Sequence, residues 1–188
     1  MAEMFSGANA YEQTMGRWSI ELAPLFLDFV GVRASGPVLD VGCGTGSLTH
    51  ALVARYPQQS ITGIDPSKSF LDLARSRHGK SAASFQEADA RSIPFANGAY
   101  DQSLALLVLQ FVPEPHEAVA EMCRVTRPGG VVAACTWDRE GMQTGAVFWE
   151  VASRLNAAAV QQSQRPQQVS RPGDLKALWK EAGLEHVE

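Results

Sequence analysis

From residue 37 onward the chain alternates short apolar runs with amphipathic stretches, the pattern of a parallel sheet whose strands are joined by helices. Pro37 to Val41 predicts a first strand, buried on both faces because its apolar residues do not alternate cleanly. Its crossover helix is predicted over Gly46 to Tyr56, with Leu48, Leu52 and Val53 on one side and Pro57 beyond its end. A second strand at Ser60 to Ile64 leads to a helix at Ser67 to His78, where Ser67 can cap and Phe70, Leu71 and Ala74 share a face. Ser84 to Glu87 and Asp101 to Leu109 predict strands three and four. The fourth ends in the longest apolar run, Leu104 to Leu109. Glu114 to Val125 predicts a helix, Arg127 to Gly130 a turn, and Val131 to Thr136 a fifth strand. A helix from about Gly145 to Ala159, a glutamine-rich loop at Gln161 to Gln168 and a helix at Asp174 to Ala182, stopped by Gly183, complete the pattern. Ahead of the first strand, Thr14 to Val30 predicts a helix that is broken or bent near Pro24.

Elements in this order, joined right-handedly, form a doubly wound α/β sheet with helices on both faces. Such sheets take ligands at the carboxyl ends of the strands, where the strand order reverses. At 188 residues the chain has room for one domain with a substantial core. Within it, residues 1–36 form an N-terminal lid and helix, 37–138 the ligand-binding core, and 139–188 the substrate-side helices and the start of a sixth strand.

Composition narrows the function classes. A formal charge of −4 without a run of Lys and Arg argues against a nucleic-acid partner. No stretch approaches the roughly 18 apolar residues needed to span a bilayer, and the N-terminus lacks a signal-peptide pattern. Cys43, Cys123 and Cys135 are odd in number and form no CxxC pair, so neither a disulfide framework nor a metal site is expected. A cytoplasmic location is the expectation.

Candidate chemistry concentrates after the first strand, in Val38-Leu39-Asp40-Val41-Gly42-Cys43-Gly44-Thr45-Gly46. Alternate glycines let the backbone turn sharply and let a ligand approach without meeting a Cβ. The loop is not the dinucleotide fingerprint, because its third glycine position is occupied by Ser47. Nor is it a phosphate loop, because it has no lysine. Asp65, with Pro66 and Ser67 behind it, ends the second strand, where a carboxylate either accepts from both ribose hydroxyls or caps the next helix. Ser67 is an equal candidate for that cap. Asp89 and Ala90 follow the third strand, as ligand contacts or as solvated loop.

These motifs resemble those of class I S-adenosylmethionine-dependent methyltransferases. The acidic-x-Gly-x-Gly-x-Gly loop is similar to the family's signature, and Asp89 through Ile93-Pro94-Phe95 to Tyr100-Asp101 resembles its “D-x-x-x-(L/I)-P-F … (F/Y)-D” segment. Val125-Thr126-Arg127-Pro128-Gly129-Gly130 is similar to its “L-x-P-G-G” turn, with Thr126 in place of an apolar residue. Tyr11 to Trp18 resembles the lid helix of the UbiE-like, or type 11, branch. The likeness runs from about residue 9 to 188 and implies a Rossmann-like fold and S-adenosyl-L-methionine as cofactor. It implies cofactor contacts from Asp40, Gly42, Cys43, Gly44 and Gly46 around the amino-acid end, and from Asp65, Pro66 and Ser67 around the ribose. Asp89 and Ala90 would meet the adenine, with Leu106 and Gln110 at the end of strand four. In the lid, Tyr11 and Arg17 would face the cofactor, Arg17 pairing with its carboxylate or else lying on the surface.

The implied reaction is in-line methyl transfer to a small-molecule acceptor, driven mainly by proximity and orientation. A general base is harder to place. Gln110 stands where many relatives carry histidine and cannot take a proton. His116 sits at a helix start, and Asp138 reads either as a base or as a turn residue. Trp137, Phe148 and Trp149 are candidates for an apolar acceptor wall or for the core. The family's sheet normally finishes with two more strands, whereas here only Leu184 to Val187 could begin a sixth. Either the sequence is a piece of a longer one, or a second subunit supplies the edge in a homodimer. The competing functions are a noncatalytic S-adenosylmethionine-binding module and a nicotinamide-dependent oxidoreductase.

Overall fold

The computed structural model describes residues 11–32, 36–79, 83–139, 141–156 and 168–188. Of the expected elements, residues 161–167 of the glutamine-rich loop, 157–159 of the helix before it and the Trp149 side chain lie outside the described ones. A π-helical turn, Glu12–Gly16, runs directly into α1, Arg17–Val30. Pro24 sits inside α1 without breaking it, which removes the break from the expected break or bend; the helix stops at Gly31, whose φ of 62° is left-handed. Then follow β1 Val38–Val41, α2 Ser47–Arg55, β2 Ile61–Asp65, α3 Lys68–His78 and β3 Ala83–Glu87. After these come β4 Tyr100–Leu106, α4 Pro115–Val125, β5 Thr126–Cys135, α5 Gln143–Leu155 and α6 Asp174–Glu181.

The five strands are all parallel, in the order β3-β2-β1-β4-β5. The order reverses between β1 and β4, which is where the doubly wound architecture opens a crevice. All four residues of β1 are buried, Asp40 included, as expected of a strand whose apolar residues do not alternate cleanly. Val38, Ile61, Leu104 and Leu106 pack with Leu27 of α1 and Leu52 of α2 on one face. Leu39, Val41, Ile64 and Ala105 pack with Val119 and Met122 of α4 and Trp179 of α6 on the other. Alternate side chains of one strand thus feed two separate cores.

Three expectations need correction. Strand four ends at Leu106 rather than Leu109, because Leu107 turns the backbone to a φ of 59°. Arg127–Gly130 belongs to β5 but bulges from it: Tyr100 pairs with Thr126 and Gln102 with Val131, so four residues oppose one. Leu184 to Val187 forms no strand; Leu184 and Val187 pack as side chains against the Trp179 core.

Thr126, the polar exception in its turn motif, has a structural reason. Its buried Oγ1 lies 2.7 Å from the Met122 carbonyl and 2.8 Å from Ser103 Oγ. With one proton to give, it donates to the carbonyl and accepts from Ser103. Thr126→Val should therefore lower stability by about 1–2 kcal/mol, because the Ser103 hydroxyl, fully buried, loses its partner. Urea unfolding measures this, and a neutral Val variant would show that the pair contributes nothing.

Candidate functional site

At the end of β1 the chain enters three successive left-handed glycines, Gly42, Gly44 and Gly46, with φ of 67°, 54° and 91°. That conformation is open to glycine at little cost and explains the alternate spacing. A Cβ on Gly42 would fall 2.2 Å from Val108 Cγ2, so loop and strand-four segment touch backbone to side chain. A Cβ on Gly44 would meet nothing nearer than Phe70, at 4.0 Å. The space over Gly44 is therefore a cradle, and it opens into a cavity of about 580 Å³.

Neighbouring strands hold the loop. The Cys43 N–H donates to the Ile64 carbonyl (2.9 Å), and the Gly44 N–H to Asp65 Oδ2 (3.0 Å). Asp65 Oδ1 accepts from the Ser67 N–H at 2.8 Å. The carboxylate thus serves the start of α3 as well as the glycine loop, while the Ser67 hydroxyl faces Ser69 Oγ (3.1 Å) and does not cap. Burial pushes the Asp65 carboxyl above its usual range, against the pull of those two N–H groups.

Asp40, in the middle of β1, is 1% exposed and also borders the cavity. Thr49 on α2 donates to its Oδ2 at 2.6 Å. Desolvation dominates, with Asp65 adding like charge, and its pKa is pushed up to about 7. Asp89 is different. Arg91 reaches it through its backbone N–H, Nε and Nη2, the last at 2.7 Å, and holds its carboxyl below the usual range. Arg91 also bridges to Glu114.

The far wall is apolar: Leu106, Leu107, Val108, Phe111 and Val112, with Phe70 across from them. Leu107 keeps its positive φ by donating its N–H to the Cys135 carbonyl (2.8 Å), a strained backbone held in place at the cavity. Tyr11 closes one side, its ring 5.2 Å from that of Phe70 and its hydroxyl 3.4 Å from Ser19 Oγ.

Of the residues expected from the sequence, Tyr11, Asp40, Gly42, Cys43, Gly44, Asp65, Pro66, Ser67, Asp89, Ala90 and Leu106 all border this one cavity. Arg17, Gly46, Gln110 and Asp138 do not. Arg17 is exposed and lies over the Trp18 ring, 5.0 Å from its centroid, because it projects from α1 about 200° around from Ser19. Gly46 starts α2 behind the loop and accepts from the His50 N–H. Gln110 is buried, donates to the Leu107 carbonyl (2.9 Å), and leaves Oε1 without a partner among the described residues. Asp138 accepts from the Gly141 N–H (3.0 Å), which is the turn role, and borders a separate cavity of about 380 Å³ with Trp137. Phe148 is 61% exposed, and His116 is exposed.

Sequence reading missed Thr49, Ser19, Phe70 and Arg91 as site residues. It also missed Glu12, which accepts from the Thr45 hydroxyl and pairs with Arg77. Ser19 had a signal, lying at i+8 from Tyr11 on one helical face.

The charged groups of the lining are mostly carboxyls. Arg91 is the one cation among the described lining residues, and it is already paired with Asp89 and Glu114. A ligand ending in an ammonium group would meet the carboxyl groups of Asp40 and Asp65 beside the glycine loop. Asp65→Ala should weaken binding of a ribose-bearing ligand by about 10–100-fold, from loss of hydrogen bonds worth about 1.5–3 kcal/mol to a charged acceptor. Calorimetric titration reads this, and unchanged affinity would remove Asp65 from the site.

Comparison with known proteins agrees with this geometry. Residues 39–134 match the family model described as a methyltransferase domain. The chain is 31% identical, over 72% of its length, to a malonyl-[acyl-carrier protein] O-methyltransferase of Hahella chejuensis, covering 49% of that protein. It is 32% identical, over 53% of its length, to the ubiquinone/menaquinone biosynthesis C-methyltransferase UbiE of Desulfotalea psychrophila, covering 41% of it. The chain therefore spans half or less of the length of these curated relatives. Among solved structures, a possible histamine N-methyltransferase of Thermotoga maritima superposes with a TM-score of 0.70 at 21% identity, over 99% of this chain and 82% of that one.

Proposed function

This chain belongs to the S-adenosylmethionine-dependent methyltransferase family, and from that premise we propose that it transfers the cofactor's methyl group to a small-molecule acceptor. The observation that carries the reading is the open cradle over Gly44, bordered by Asp40 and Asp65 at the point where strand order reverses. S-adenosylmethionine supplies an activated methyl on a sulfonium that leaves as a neutral thioether. The chain's own residues bind and orient. Asp65 is placed for the ribose, Asp40 for the ammonium end, and Asp89 with Ala90 for the adenine. The apolar wall of Leu106, Leu107, Val108, Phe111 and Val112 keeps water from the reacting groups. Holding both reactants in a near-attack pose is worth roughly 7–11 kcal/mol.

The described lining residues include no histidine, and their three carboxylates are each hydrogen-bonded. The acceptor is accordingly one already nucleophilic at neutral pH, such as a carboxylate, needing no proton removed. The relationship to a malonyl-[acyl-carrier protein] O-methyltransferase supports that class. Labelled methyl transfer to short free carboxylates, including monothioesters of dicarboxylic acids, tests it against phenols of high pKa. Transfer to carboxylates is expected; transfer only to the phenols would overturn the acceptor class. Cofactor binding without transfer to either would favour a noncatalytic binding module.

The same proposal places the work within one domain of residues 1–188 and in the cytoplasm, with no nucleic-acid partner. No described helix is long and apolar enough to cross a membrane. Self-association as a homodimer belongs to the same proposal, with exposed Leu25 and Phe29 beside Ala134 and Cys135 as the apolar surface that supports it.

A further inference from the structure

We propose that Glu12 is a positioning residue: with Thr45 and Arg77 it latches the N-terminal helical turn onto the glycine loop and so keeps Tyr11 over the cofactor cavity. The inference rests on the cofactor reading above. Three contacts close a ring. Thr45, in the loop and 2% exposed, donates its hydroxyl to Glu12 Oε1. Arg77, near the end of α3, donates from Nη2 to Glu12 Oε2 at 2.7 Å and from Nη1 to the Thr45 carbonyl at 3.5 Å. One carboxylate thus ties three segments together, across 33 and 65 residues of sequence.

Tyr11 immediately precedes Glu12, stacks on Phe70 and borders the cavity. The π-helical turn that carries Glu12 widens the helix at this point, a distortion frequent at functional sites. Gly16 makes room for the latch. A Cβ there would lie 2.7 Å from Glu12 Oε1 and 2.8 Å from its carboxyl carbon, so any side chain pushes the carboxylate away from Thr45 and Arg77. Gly16 is otherwise an ordinary right-handed helical residue, with φ −58°, and alanine would favour the helix. Latch and helix stability therefore respond to Gly16→Ala with opposite signs.

The test uses Glu12→Gln, Arg77→Met, their combination and Gly16→Ala. Affinity for S-adenosylhomocysteine is read by calorimetry, thermal midpoint by melting, and amide exchange over residues 12–16 in the free protein. Each single variant should bind about tenfold more weakly and exchange faster at 12–16, as loss of a charge-assisted hydrogen bond implies. The Glu12→Gln/Arg77→Met pair should be no worse than either alone, because both break one interaction. Gly16→Ala should bind more weakly while melting no lower than the wild type. Wild-type affinity and exchange in all three singles, or full additivity in the double variant, would overturn the latch. If the wild-type chain binds no sulfur nucleotide, the cofactor reading fails, and exchange at 12–16 alone decides the latch.

Discussion

Gly42→Ala is expected to destabilise the chain by about 2–5 kcal/mol, a large share of the 5–15 kcal/mol that holds a domain of this size together. Two costs add. A left-handed backbone at a residue with a Cβ costs roughly 1–2 kcal/mol, and Gly42 has a φ of 67°. Overpacking costs roughly 1–3 kcal/mol more, because the new Cβ would sit 2.2 Å from Val108 Cγ2 and 2.8 Å from Val108 Cβ. A branched side chain cannot swing clear when its own Cβ is in contact. Gly44→Ala, two residues on, carries the first cost and not the second, since only Phe70 lies within 4.0 Å. Gly44→Val should leave a folded protein and fill the ligand cradle. One motif thus fails in two ways: Gly42 in folding, Gly44 in binding. Urea unfolding and cofactor titration of the two variants separate them. A Gly42→Ala protein within about 1 kcal/mol of wild type would contradict the packing described.

The second large effect is a pH dependence that belongs to Asp40. Its carboxyl is fully buried, and its pKa is pushed up to about 7 by desolvation, with Asp65 adding repulsion. A carboxyl whose folded pKa exceeds its unfolded value binds its proton more tightly in the native state. Its contribution to stability is therefore complete below about pH 4 and is lost as pH rises toward 7, at about 1.4 kcal/mol per unit. An asparagine in its place would not titrate, and it would still offer an oxygen to the Thr49 hydroxyl. The stability of Asp40→Asn relative to wild type should rise by about 3 kcal/mol between pH 4.5 and 7.5. A cationic ligand works the other way, favouring the ionised form, so affinity for S-adenosylmethionine should fall below pH 7 in the wild type. A stability difference flat across that range would mean that Asp40 does not titrate there.

The core strands were legible because their apolar runs are short and separated by amphipathic helices. The misreadings share a cause: local pattern does not report tertiary contact. Leu107, Val108 and Leu109 continue the apolar run of β4, yet the backbone leaves the strand at Leu107. A cavity wall and a strand core look alike in hydropathy. Arg127–Gly130 reads as a turn from its Pro and Gly, and the structure keeps it within β5 as a bulge. The glycine loop and the acidic residues Asp40 in β1, Asp65 at the end of β2 and Asp89 after β3 border one cavity, since strand ends are where the fold gathers them. Arg17, expected either to face the cofactor or to lie on the surface, is exposed on α1; family likeness carries no helical phase to choose between the two. Counting around α1 from buried Ser19, Ala23 and Phe26 would have turned it outward. Glu12 and Arg77 are 65 residues apart, and nothing local in either stretch announces the pairing.

The most direct test of the central claim is a parallel calorimetric titration of the chain with S-adenosylmethionine, S-adenosylhomocysteine and NAD. Binding of both sulfur nucleotides in the micromolar range, about −8 kcal/mol, with none of NAD, is the expected result. Binding of NAD with neither sulfur nucleotide, or no binding of any of the three, would contradict it.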